Sequence, residues 1–481
     1  VTSPGPWAST AVLSADDLAR CAERLAAARP ALAAIPDERL LAAWNRTVEA
    51  FLDPRSPERR AIQGDLVRST GLSPAGLEAG LESVLGGVRV GIRGRPVEEL
   101  FAEARALREG EQGRIAGAAE SPGAGAEPGE PEGTETDSTD GFALVVLASN
   151  LPALAVQPLV AALAARRPVL LKSPTAEPVF AAAFVRALAE RLPALGGAVA
   201  AVTWPGGDAE REAPVLARAT VVVAYGGDEA LADLAARART LRGDRGTRFV
   251  PYGPKTSLAV VGRDVPPGAP LDAVAAGLAR DVALFDQRGC LSVAAVYVEE
   301  DGPADPPAGE APGTGSAPTG VGEHRRSRAL ADALARELRA LARRWPPGPI
   351  GAAEAAAVQQ MRAEAELRGL YRPPLALREG TVVVEPDSGF QATPGLRTVP
   401  IHPLPAPLDG ACLTEILTPW RDRLQGVALA GFGGVGSGTR AEALTPALAA
   451  LGVSRITPPG ALQSPDARWH NGGVEPLAVF L

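Results

Sequence analysis

Cysteine and histidine are scarce in this chain of 481 residues, with three of each. Cys21, Cys290 and Cys412 are too few and too scattered for a disulfide framework. His324, His402 and His470 fall in no metal-ligand spacing such as HExxH, so no metal is expected. A basic excess is missing too: 48 Lys+Arg face 56 Asp+Glu, for a formal net charge of -8. That balance leaves no footprint for nucleic acid, although a local patch can still hold an anionic ligand. No apolar run reaches the eighteen or so residues of a membrane helix, and the start carries no signal-peptide pattern. A cytoplasmic location is the default expectation. The GxGxxG fingerprint of dinucleotide folds is missing from the loops that follow the apolar runs between residues 142 and 226.

What is present suits a folded protein of two or more domains, with 46% hydrophobic and 22% charged residues. The first hundred residues read mainly as helices. "SADDLARCAERLAAARPALAAI" opens with cap residues, and "SPAGLEAGLESVLGG" stops at paired glycines. Cys21 reads as a packing residue. Residues 115–140, rich in Gly, Pro and acidic side chains, cannot build a core and read as a flexible insertion. A second such piece, 302–326, contains His324, which makes that histidine a poor catalytic candidate. Between them, "FALVVLA" (142–148), "PVLLK" (168–172), "AVAAVTW" (198–204) and "TVVVAYG" (220–226) alternate with helical segments. Short apolar strands alternating with helices predict a parallel sheet covered on both faces, with ligands at the carboxyl ends of its strands.

The loops at those ends hold Asn150, Lys172, Thr175, Gly226 and Gly227. Glycines ahead of a helix offer backbone N–H groups to phosphate, and a lysine adds a point charge. Gly226 and Gly227 fit ordinary turns equally well. Further on, "LDAVAAGLARDVALFDQRGC" reads as a helix with a polar end and "LSVAAVYVE" as a strand. Cys290 at their junction is either a buried thiol or a nucleophile. Asp286, Gln287, Arg288 and Gly289 supply polarity, a cation and a close-approach position. Glu415 in "CLTEILTPW" lies between apolar positions, suitably placed for a ribose or a water. "GVSRITPPGALQSPDARWHNGG" (452–473) has too many turn residues for a helix and reads as an ordered loop that packs at a specific place.

On "FDQRGCLS", "LASNLPALAVQPLVAALAARRPVLLKSPTAEP" and the terminal "SRITPPGALQSPDARWHNGG", the chain resembles the aldehyde dehydrogenase superfamily. Within it, the chain looks most like the fatty acyl-CoA reductases of the bacterial luminescence type, from about residue 40 to the end apart from the two insertions. The resemblance implies an α/β fold with a Rossmann-type cofactor domain, an α/β catalytic domain and a small oligomerisation element. The implied division is helical 1–114 contributing to the cofactor domain, the insertion 115–140, and an NADP-binding domain 141–262. A catalytic domain 263–440 and a C-terminal segment 441–481, returning to the cofactor domain or an oligomer interface, complete it. Cys290 is then the nucleophile and Asn150 the oxyanion donor, with the Cys290 amide beside it. Lys172 meets the adenosine ribose or its phosphate, Gly226 the cofactor-phosphate turn, and Glu415 the nicotinamide ribose.

Departures from the superfamily pattern sharpen the expected chemistry. Pro251 stands where hydrolytic members carry a glutamate base, so an acyl-enzyme at Cys290 is expected to survive for reduction rather than hydrolysis. Thr175 stands where NAD-preferring members carry a glutamate, which leaves room for a 2'-phosphate and favours NADPH. Gly227 replaces a serine, removing one hydroxyl contact to the pyrophosphate. The expected activity is reduction of a fatty acyl-CoA to the aldehyde through a cysteine thioester. A CoA- or phosphate-dependent dehydrogenase of shorter substrates is the alternative enzyme, and a non-catalytic scaffold the alternative of another class. The resemblance also implies a homo-oligomer and admits an acyl-transfer partner enzyme. Luminescence does not follow, because such reductases occur where no light is made. His470 reads as structural.

Overall fold

The computed structural model describes residues 8–119, 141–301, 324–389, 393–433 and 439–481. Twelve strands among them form two six-stranded sheets in which every strand pair is parallel. The first contains β1 (Ala8–Val12), β2 (Phe142–Val146), β3 (Val169–Ser173), β4 (Val199–Thr203), β5 (Ala219–Tyr225) and β6 (Arg248–Tyr252). The second contains β7 (Thr256–Val261), β8 (Val293–Glu299), β9 (Thr381–Val384), β10 (Thr398–Leu404), β11 (Leu424–Ala430) and β12 (Arg455–Thr457).

The first sheet runs β1-β4-β3-β2-β5-β6. The chain steps outward through β2, β3 and β4, then returns to place β5 on the other side of β2. This reversal opens a crevice beyond the carboxyl ends of β2 and β5. The strands bury both faces because helices cover each side, which is why "FALVV" and "VLLKS" show no apolar–polar alternation. On one face Trp44, Phe51, Phe180 and Phe184 form an aromatic cluster, with ring centroids 5.2–5.7 Å apart. Ser14, Ser56 and Ser73 each cap an N-terminal helix by accepting an amide N–H three residues on. Cys21 is a core residue as expected, and burial lifts its thiol to about 12.

The second sheet runs β12-β11-β7-β8-β10-β9. β7, placed in the cofactor unit by the sequence reading (141–262), pairs instead with β8 and β11. The change of sheet therefore falls at "GPK" (253–255), where Gly253 and Pro254 break the extended run between β6 and β7. β1, too, is a strand in a region expected to be mainly helical, paired along β4 at the sheet edge.

Helix Pro96–Ala119 runs into the expected insertion 115–140, whose remaining residues lie outside the described ones. The same holds for 302–323; helix Arg325–Arg344 begins inside the range expected to be flexible. No helix among the described residues is long and apolar enough to cross a membrane.

The C-terminal segment touches both sheets. It adds β12 to the second sheet, and its last helix, Pro476–Phe480, packs on helix Val156–Ala164 of the first. Two glycines admit it. A Cβ on Gly87 would lie 2.1 Å from the Pro465 carbonyl oxygen, and one on Gly277 would lie 2.6 Å from the Pro459 carbonyl. The Arg455 side chain staples the turn by donating to the carbonyls of Leu462, Ala461 and Ser464 at 2.9–3.0 Å.

Candidate active site

Between the carboxyl edge of the first sheet and the amino edge of the second lies a cleft of about 610 Å³. The loop after β2 brings Asn150, the turn after β5 brings Gly226 and Gly227, and the loop before β8 brings Cys290. Four of the seven expected site residues therefore share one cavity although 140 positions separate the first from the last. Asn150 stands on an irregular loop because the next helix starts only at Val156, and Ala153 turns left-handed at φ 64°.

The Asn150 amide Nδ2 donates to the Arg288 carbonyl at 3.0 Å. That bond uses one of its two N–H groups and ties the loop after β2 to the cysteine loop. Cys290 is half-buried in the cleft wall, its carbonyl accepting from the Ser257 hydroxyl at 2.7 Å. Burial pushes its thiol up to about 11, and hydrogen bonds from its own amide and that of Leu291 oppose the rise. Those two N–H groups therefore favour negative charge on the sulfur.

The cysteine loop is strained. Phe285, Asp286 and Gln287 have φ of 55°, 50° and 65°, left-handed values that cost non-glycine residues about 1 kcal/mol or more each. Phe285 reaches this shape by filling the space left by Gly80, where a Cβ would sit 2.4 Å from its ring.

No Asp, Glu or His lines the cleft among the described residues; its ionisable groups are Tyr225, Tyr252, Lys255, Arg288 and Cys290. Tyr225 and Tyr252 stack at 4.8 Å. Burial drives the Tyr225 phenol well above its ordinary value and the Tyr252 phenol to about 12, so both stay protonated. Lys255 donates its ammonium to the Asp422 carbonyl. Pro251 faces solvent on β6 and takes no part in the lining.

The other three expected residues stand outside the lining. Lys172, near the end of β3, is buried with its ammonium 5.8 Å from the Trp204 ring centroid. That ammonium makes no hydrogen bond among the described residues, and burial lowers its pKa against the opposing pull of Glu212. Thr175 is exposed on the turn that follows. Glu415 differs from expectation: helix Gly410–Leu417 buries Leu413 and Leu417, one turn apart, so Glu415 points to solvent. Trp420, just beyond this helix, reaches the cleft instead.

Several lining residues escaped the sequence reading. Gln463, Pro465, Trp469 and Asn471 make the 452–473 loop a wall of the cleft. His470 between them is exposed and lines nothing. Asn471 accepts from the Gln425 amide at 2.7 Å, and Gln463 accepts from the Ser292 hydroxyl at 3.3 Å. The turn-rich composition announced a docked loop but not where it docks.

The family model for acyl-CoA reductase (LuxC) matches residues 127–308 and 321–481, well over half of the chain. The chain belongs to the acyl-CoA reductase family. Long-chain acyl-protein thioester reductase 2 of Photobacterium leiognathi is 26% identical over 160 residues, 33% of this chain and 32% of that protein. The long-chain acyl-protein thioester reductase of Aliivibrio fischeri is 27% identical over the same extent. These alignments thus span about a third of each relative. The fold is that of aldehyde dehydrogenases. The Mycobacterium tuberculosis delta-pyrroline-5-carboxylate dehydrogenase superposes with a TM-score of 0.59 at 15% identity, covering 98% of this chain and 81% of that one. An NAD-dependent benzaldehyde dehydrogenase from Corynebacterium glutamicum gives 0.59 at 14% identity, covering 98% and 88%.

Proposed function

We propose that this protein reduces a long-chain fatty acyl thioester to the aldehyde, with Cys290 as the acyl acceptor and NADPH as reductant. The observation that carries the reading is a cleft holding Cys290 and Asn150 together without a lining carboxylate or histidine among the described residues. The Cys290 sulfur attacks the acyl carbonyl, the tetrahedral oxyanion collapses, and the donor thiol leaves. The remaining Nδ2 N–H of Asn150 and the Cys290 amide supply the oxyanion donors. Such a donor contributes about 3 kcal/mol. With no lining base to activate water, the acyl-enzyme persists until it is reduced. After reduction the hemithioacetal expels Cys290 and frees the aldehyde.

The residues present fit a nicotinamide dinucleotide. Gly226 and Gly227 open helix Asp228–Arg242 at the crevice, and a Cβ on Gly227 would meet nothing within 4 Å. Lys172, at the end of β3, has an ammonium without a hydrogen bond among the described residues, and exposed Thr175 puts no carboxylate against a 2'-phosphate. When bound, the cofactor supplies the hydride. The acyl donor in this reading is acyl-CoA; the relatives, named for acyl-protein thioesters, add a protein-bound acyl group as a second donor.

Incubation with radiolabelled acyl-CoAs of several lengths, without cofactor, tests the reading. Label is expected on Cys290, strongest for long chains, and Cys290→Ala should lose both label and NADPH-dependent aldehyde formation while still binding cofactor. Turnover retained by the alanine variant would overturn the mechanism.

A further inference from the structure

Beneath the nucleophile the backbone carries two left-handed runs side by side. Phe285, Asp286 and Gln287 form one, with φ of 55°, 50° and 65°. Gly395, Leu396 and Arg397 form the other, with φ of 74°, 55° and 59°. Consecutive non-glycine residues in this region persist only where the surroundings over-determine them.

A buried ion pair joins the two runs. Arg397 Nη2 and Nε lie 2.7 and 3.2 Å from Asp286 Oδ1, with the side chains 2% and 5% exposed. The second Asp286 oxygen accepts from the Gly348 amide at 2.9 Å, and Arg397 also donates to the Trp345 carbonyl at 2.9 Å. One residue further along each run, a second lock engages. Gln287 Oε1 accepts from the Thr398 amide at 2.8 Å, while its Nε2 donates to the carbonyls of Val293 and Thr398 at 2.8 and 2.9 Å.

A buried pair rarely adds stability over a well-packed apolar pair, so stability alone does not account for it. Its geometry does offer an account. A planar guanidinium fork fixes the direction as well as the distance of the carboxylate it holds. Asp286 lies four residues before Cys290, and Gly395, two residues before Arg397, lines the cleft.

We propose that Arg397 is a positioning residue for the reaction: through Asp286 it fixes the strained turn that presents Cys290 opposite Asn150. This rests on Cys290 being the acyl acceptor. Arg397→Lys keeps the charge but loses the fork. The double variant Asp286→Asn with Arg397→Met removes both charges and so leaves neither buried alone.

Three measurements on the full-length protein decide the matter: labelled acyl transfer from acyl-CoA in a single turnover, the pH profile of Cys290 alkylation, and NADPH binding. Both variants should bind NADPH as the wild type does and accept the acyl group ten- to a hundred-fold more slowly, the scale of a displacement of about 1 Å. The alkylation midpoint should fall from about 11 towards the free-thiol value of about 9 as the loosened turn admits water to the sulfur. A purely structural pair would lower the melting temperature while leaving the acylation rate and the alkylation profile of the folded protein unchanged, and that result overturns the proposal. Should the double variant fail to fold, Arg397→Lys alone decides it by the same readings. Should the wild type itself take no label, the functional reading falls, and the alkylation profiles still judge the clamp.

Discussion

Removing the Asn150 side chain separates catalysis from stability. Asn150→Ala deletes one exposed side-chain-to-backbone hydrogen bond, that to the Arg288 carbonyl at 3.0 Å. Such a bond is worth about 0.5–1.5 kcal/mol net, and exposure puts this one at the low end. For a chain of this size the melting temperature should therefore move by no more than a few degrees. On the proposed mechanism the same substitution removes one oxyanion donor, worth about 3 kcal/mol, or roughly 100- to 200-fold in rate. The loss should appear in single-turnover acyl transfer to Cys290 without cofactor, because the first tetrahedral oxyanion already needs the donor. It should appear again in the reductive half-reaction, measured from pre-formed acyl-enzyme. Asn150→Asp should do worse in both, since a carboxylate of the same shape accepts where the oxyanion needs a donor. A folded Asn150→Ala protein that acylates within threefold of wild type would refute the role.

Other consequences are equally direct. Alkylation of Cys290 in the free protein should speed up about tenfold per pH unit across pH 8–10, because the thiol titrates near 11 and thiolate is the reactive form. Lys172→Met should raise the KM for NADPH by tenfold or more with little change in kcat, a charge-assisted bond being worth about 1.5–3 kcal/mol. Gly80→Ala would drive a Cβ to 2.4 Å from the Phe285 ring; expect a loss of about 1–3 kcal/mol in thermal unfolding and slower acylation through the displaced turn. Asp281 is fully buried and accepts the amides of Gly460 and Leu462, yet desolvation raises its carboxyl from 3.8 to about 6. Its stabilising contribution is thus fully present below pH 4 and lost as pH rises through about 6. Measured by denaturant unfolding, wild type should lose about 3 kcal/mol relative to Asp281→Asn over that range.

The fold was legible wherever one local rule decided the outcome. Apolar strands separated by helices announced the parallel sheet, and the runs opening at Ser14 and Ser73 announced the helices that start at Ala15 and Pro74. Two adjoining units were also visible, but not where one sheet gives way to the other. β6 and β7 are both short apolar runs, and only their neighbours assign them to different sheets. The site was legible to the same degree. Asn150 and Gly226 follow strands of the first sheet, where position alone puts a residue at a crevice, whereas Cys290 precedes β8 and its position left a buried thiol and a nucleophile both open. Glu415 lies on a helix, and its outward direction depends on which face Leu413 and Leu417 bury. Asp286 and Arg397 are 111 positions apart, so no local pattern pairs them. The aromatic and amide wall from the C-terminal loop is equally remote, reaching the cleft only because Gly87 and Gly277 leave it room.

The raised thiol of Cys290 has a consequence for the order of events. An ordinary thiol such as that of CoA titrates near 8.5, about two units below a sulfur held near 11. In the first tetrahedral intermediate both sulfurs are candidates to leave, and the less basic one leaves faster. In the proposed reaction with acyl-CoA, burial of Cys290 therefore biases that intermediate towards acyl-enzyme rather than back to the donor. The cost falls on the second step, where the hemithioacetal can expel only Cys290, the more basic thiolate. The amides of Cys290 and Leu291, which favour charge on that sulfur, act where this cost arises. On the proposed mechanism one buried thiol drives acyl capture, while two backbone N–H groups allow its release. The turn at Phe285–Gln287 matters because it sets the direction in which both are presented.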